Sequence, residues 1–264
     1  MCMRAYVEFA IKKFQNKMTY RLEFFMGILD TIISLIVYLC IYNALYGNEA
    51  SVDGITLSMV ATNFVISLGL SNAFHFDEFF LEKRVNEGSI CNEFLKPVNF
   101  VFRMFSENAG EGLFKVIFNF IPAVIFAIFY TELCKPSGLL NVLIMLLSVV
   151  LGYIILWLIS FIVQTWTFWF LSVWGIITIK NVFVNILSGS MIPIWFMPSA
   201  LRRIIAFTPF ESIYFTPVRI YLGELSGMDI LKGMGIQILW ILILMLIANL
   251  FWKKGVKKLV IQGG

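Results

Sequence analysis

Residues 239–252 read Leu-Trp-Ile-Leu-Ile-Leu-Met-Leu-Ile-Ala-Asn-Leu-Phe-Trp, and Lys253-Lys254 follow at once. The run carries no charge. A helix that crosses the hydrocarbon core needs about 20 mostly apolar residues, because that core is roughly 30 Å thick. Extended back to Ile230, the run reaches that length. Ile117–Tyr130 is a second continuous apolar run. Barrel strands would instead alternate in segments of about ten residues. The composition agrees with helices in lipid: 60% of the 264 residues are hydrophobic, 14% are charged and the mean hydropathy is +0.88. Soluble domains are roughly half apolar and a quarter charged.

Working outward, the pattern predicts an all-α membrane protein with six transmembrane helices in one domain, residues 1–264. The spans are about Glu23–Tyr46, Ile55–Phe76, Asn108–Tyr130 with a kink at Pro122, Leu139–Gln164, Gly175–Ile194 and Ile230–Trp252. Residues 3–21 form a basic amphipathic helix, with Met3, Tyr6, Val7, Ala10, Phe14 and Met18 at helical spacing. Such a helix is expected in the membrane interface, with a soluble tail as the alternative. No signal peptide is expected, since this segment has no apolar core or cleavage site.

Lysine and arginine counts set the orientation. The N-terminal segment, the 77–106 loop and the C-terminal tail together hold 13, while the opposite side holds five. Both termini are therefore expected to be cytoplasmic. The net charge of +4 does not indicate nucleic-acid binding, because the basic residues sit at the ends of apolar runs. The four cysteines are scattered, which argues against a disulfide framework or a zinc site.

No catalytic set stands out. His75 is the sole histidine, so a histidine cluster for metal is excluded, and an interface position at the end of the second span fits it better. No P-loop is present, so this chain is expected to bind no cofactor, and any ATP would be bound elsewhere. Asp30, Glu107, Glu111, Lys115 and Lys180 lie in or near spans, where ionisable groups are costly and default to functional candidates. Snorkelling at the cytoplasmic interface accounts for all but Asp30.

The most informative polar segment is the 77–106 loop. Ser89 is placed to cap a short helix that ends at Lys96-Pro97 and exposes Ile90, Phe94 and Leu95. It reads either as a solvated loop or as a docking surface, and its apolar residues favour docking. Residues 195–229 are too proline-rich for a simple span and too apolar for a solvated loop. They read as short helices dipping into the outer leaflet, with an external loop as the alternative.

Taken together, the chain resembles the permease subunit of an ABC transporter of the ABC-2, or type-2 exporter, family. The resemblance spans nearly the whole chain. It rests on the N-terminal helix, the six spans, the loop Glu87-Gly88-Ser89-Ile90 to Leu95-Lys96-Pro97-Val98, and the string Gly189, Pro193, Pro198, Arg203, Pro209-Phe210, Tyr214, Pro217, Gly223. It implies a multi-pass protein of the bacterial inner membrane. It also implies a second permease, identical or different, and a separate ABC ATPase that carries ATP and Mg. Export of lipids, glycans, peptides or drugs is implied too, along a path between the first, second and fifth spans of the two permeases. The loop would then be a coupling helix that enters a cleft on the ATPase through Glu87, Gly88, Ile90, Glu93, Phe94, Leu95, Lys96 and Pro97. Pro193, Pro198, Arg203, Pro209 and Pro217 would shape the outer re-entrant segment. A membrane scaffold or regulatory subunit that moves nothing is the alternative.

Overall fold

The computed structural model describes residues 2–19, 21–47, 49–74 and 76–262. His75 lies outside these residues. Twelve α-helices appear among them: α1 (Cys2–Thr19), α2 (Arg21–Tyr46), α3 (Leu57–Ala73), α4 (Phe80–Asn86), α5 (Ile90–Phe94), α6 (Phe100–Lys115), α7 (Ile121–Tyr130), α8 (Leu139–Thr165), α9 (Trp174–Leu187), α10 (Ser199–Ala206), α11 (Glu211–Leu222) and α12 (Met228–Gln262). The only strands described are β1 (Ser51–Val52) and β2 (Ile55–Thr56), an antiparallel hairpin before α3 that the sequence reading did not anticipate.

Among the described residues, four stretches are long and apolar enough to cross a membrane: Phe25–Tyr46, Phe100–Tyr130, Leu139–Phe168 and Met228–Leu259. Leu57–Ala73 and Trp174–Leu187 are apolar but shorter. At 1.5 Å per residue, these two are about 26 Å and 21 Å long, less than a roughly 30 Å hydrocarbon core. The third expected span begins earlier than Asn108. Asn99 caps α6, its carboxamide oxygen accepting from the backbone N–H of Val101 and Phe102. The expected kink at Pro122 is a π-helical turn, Val116–Phe120, with Pro122 in the first turn of α7. The stretch is continuous from Phe100 to Tyr130, so the proline still has no N–H to give the ladder, and the wider turn lies directly ahead of it.

α8 is the hub of the core. Its buried residues Tyr153, Leu156, Trp157 and Phe161 pack with residues of α3, α6, α11 and α12. Gly152 lets α11 approach, since a Cβ there would lie 2.4 Å from the Ile213 carbonyl oxygen. Gln237 of α12 is fully buried and ties three helices. It accepts from the Ser148 hydroxyl at 3.0 Å, and its amide donates to the carbonyls of Ser148 at 3.1 Å and Ser212 at 2.8 Å. Where lipid removes the hydrophobic drive between helices, such polar bridges and small-residue contacts hold a bundle together.

α1 lies along α6. A Cβ on Gly110 would meet the Ala10 carbonyl oxygen at 2.1 Å, and Phe14 packs edge-on against Phe114 at 5.6 Å. The outward face of α1 presents Met3, Val7, Ile11 and Met18. The 195–229 segment is broken as expected. It holds a short 3-10 turn (Ile194–Phe196), then α10 and α11. Pro193 and Pro198 immediately precede the 3-10 turn and α10. Pro209 falls between α10 and α11, and Pro217 is buried inside α11. Arg203 is exposed in the last turn of α10.

Candidate functional site

The loop between α3 and α6 folds into two short helices rather than one. α4 and α5 meet at Gly88, whose φ of +70° lies in the left-handed region that favours glycine. Ser89 precedes α5 but makes no side-chain cap, and its hydroxyl donates to the Arg84 carbonyl at 3.4 Å instead.

α5 is two-faced. Ile90 is 0% and Glu93 4% exposed, whereas Phe94 is 40% and Leu95 83% exposed. The i, i+3 pair Ile90 and Glu93 therefore points inward. Two of the residues assigned to partner contact are thus internal braces. Ile90 packs in the main core, and Glu93 is the hub of an ion cluster. The Glu93 carboxylate pairs with Arg84, with Arg103 and, at 2.8 Å, with Lys96. Arg103 also holds Glu107 at 2.7 Å, and its guanidinium lies 5.1 Å from the Phe9 ring of α1. Burial by itself pushes the Glu93 carboxyl up, but Lys96, Arg103 and Arg84 outweigh it and hold it below the ordinary carboxylate range.

Further links anchor the loop. Asn86 donates to the Leu171 carbonyl at 2.9 Å, and Glu82 accepts from the Val173 N–H at 3.0 Å. The Asn99 N–H donates to the Tyr6 hydroxyl at 3.0 Å. Phe94 meets Phe100 and Trp252 edge-on, and those two rings stack at 5.4 Å. What remains exposed is a tip formed by Glu87, Gly88, Cys91, Asn92, Leu95, Lys96 and Pro97, with part of Phe94.

A second cluster ties α1 to α6. Glu111 pairs with Lys17 at 3.1 Å, Lys115 at 3.0 Å and Lys13 at 3.4 Å. The expected face of Glu107, Glu111 and Lys115 is real, but its two acids serve different partners. A third cluster was missed. Lys180, read as a snorkelling residue, is buried and pairs with Glu78, and it donates to the Ser160 hydroxyl at 3.1 Å. Asn181 donates to the other Glu78 oxygen at 2.9 Å. These groups line a polar cavity of about 250 Å³ with Asn72, Asn185 and Tyr214. The sequence signal was present: a lysine in an apolar run requires a counter-charge. The identity of that counter-charge was not. Asp30 is exposed on α2, with no ion-pair partner among the described residues.

No group of three or more metal-ligating side chains occurs among the described residues. Long apolar helices with a charged, braced loop at the end of α3 define a multi-pass membrane protein. Residues 32–263 match the family described as ABC-2 family transporter protein, and the chain belongs to that family. It is a membrane transport component and not itself a catalyst. No curated protein matches it.

Proposed function

We propose that this chain is the permease half of an ATP-driven exporter, crossing the membrane six times with both termini in the cytoplasm. The crossings are the four long apolar stretches together with α3 and α9. A separate ABC ATPase supplies the energy, and a second permease completes the pathway. The observation that carries this reading is the two-faced α5. Its inner face is locked to α4 and α6 by Glu93 and Ile90, while Leu95 projects into solvent. An exposed apolar side chain on a rigid base is the form of an anchor that fills a partner's pocket. Push on that tip, and the Glu93 cluster transmits the load to α6, while the Glu78–Lys180 pair transmits it to α9. Asp30, exposed on a spanning helix, supports a covering second permease, since a bare carboxylate facing lipid is costly.

The test is purification in mild detergent. A P-loop ATPase should come with the wild-type chain. Leu95→Asp should lose it while keeping the wild-type melting temperature. Phe94 is the weaker probe, because it also packs on Phe100 and Trp252. Recovery of the chain alone, with transport insensitive to ATP depletion, overturns the reading.

A further inference from the structure

α6, α8 and α12 enclose a groove distinct from both the loop tip and the polar cavity. Its volume is about 470 Å³, and its walls include Phe102, Phe105, Trp157, Phe161, Ala248 and Trp252. This size falls within the roughly 300–1,000 Å³ of sites that hold small molecules. Besides the indole N–H groups of Trp157 and Trp252, the polar side chains on its lining are Asn99 and Asn249.

Three observations point to one occupant. First, the groove is cut between three stretches that are apolar and long enough to span a membrane, so the solvent at its open side is lipid chain. Second, its residues come from the N-terminal part of α6, the C-terminal half of α8 and the end of the α12 apolar run, which places it beside the basic tail. Third, Met245, Asn249 and Lys253 form an i, i+4 row on α12, which sets an ammonium one turn beyond an amide that lines the groove. Lys253 and Lys254 are exposed and have no ion-pair partner among the described residues, and Asn249 has no side-chain hydrogen bond there. A polar amide exposed on a spanning helix requires a partner.

We propose that this groove holds one acyl chain of an anionic phospholipid from the leaflet beside the basic tail, with its phosphate at Lys253 and Asn249. The lipid is a resident part of the protein, seated away from α2, α3 and α9. It fills space that would otherwise be a void between α8 and α12, and it neutralises the tail where α12 leaves the membrane.

The experiment uses the full chain with whatever chains copurify, exchanged into phosphatidylglycerol or phosphatidylcholine and read by native mass spectrometry. One phosphatidylglycerol should stay bound per chain under activation that strips phosphatidylcholine. A basic side chain near an anionic surface contributes enough that Lys253→Gln should cut the selectivity about fivefold. Ala248→Phe should fill the groove and abolish retention. Phosphatidylglycerol carrying a diazirine near the end of one chain should label peptides covering residues 154–161 and 245–252. If Ala248→Phe does not fold, Lys253→Gln and the photolabel decide. Equal retention of the two lipids, unchanged selectivity in Lys253→Gln, or labelling elsewhere overturns the proposal.

Discussion

Glu93→Gln removes the charge at the centre of the α4–α5–α6 brace while keeping the side-chain shape. Three cations lose their shared carboxylate. Taking one member from a buried ion pair costs about 3–5 kcal/mol. Two features reduce that here. The Arg103 side chain is 10% exposed but keeps Glu107 at 2.7 Å. The Lys96 side chain is 46% exposed, where a pair contributes about 0–1 kcal/mol. A local loss of about 2–3 kcal/mol remains, carried chiefly by Arg84 and Arg103. Hydrogen exchange measured by mass spectrometry on the purified protein reads this directly, because amides of a locally opening segment report its opening free energy. Protection across residues 80–94 should fall about 30- to 150-fold, at tenfold per 1.4 kcal/mol. Residues 145–160 of α8 should be unchanged. Leu95→Asp should leave both segments as in the wild type. Protection within about threefold of wild type in Glu93→Gln would refute the brace and return Glu93 to the docking surface.

Acid should act through the same group. The Glu93 carboxyl lies below its ordinary value of 4.5 in the fold, so its contribution is complete above about pH 4.5 and is lost as pH falls through the folded value. Exchange across α5, corrected for intrinsic rates, should therefore accelerate in acid in the wild type but not in Glu93→Gln. Lys180→Met leaves Glu78 charged and buried, at a cost of about 3–5 kcal/mol in thermal unfolding. The double variant Glu78→Gln/Lys180→Met should recover most of the loss, and a double no better than the single would show that the pair is not coupled. Gly152→Ala drives a Cβ to 2.4 Å from a backbone oxygen and should destabilise by about 1–3 kcal/mol. Gly235→Ala has open space around it and should be neutral or stabilising by up to about 1 kcal/mol.

The helical class, the proline-broken segment before the last helix and the charged loop after α3 were all legible in sequence, because they follow from local composition. The same reading expected a short helix ending at Lys96-Pro97, and α5 does end just before them at Phe94, since the residue ahead of a proline disfavours helical backbone. It exposed Ile90 and assigned Glu93 to partner contact, and the structure turns both inward. Periodicity shows that α5 has two faces, but nothing local says which one meets the protein.

Run length and charge placement by themselves determined that the chain lives in lipid and where its long helices lie, because hydrocarbon thickness and the cost of a bare backbone act on each segment alone. Tertiary structure alone decided which apolar face of each helix meets protein rather than lipid, since both are equally apolar. It also decided the charge partners. Glu78 and Lys180 stand 102 residues apart, and only the tertiary packing that sets α9 beside α8 and beside the turn between α3 and α4 brings that lysine to its carboxylate.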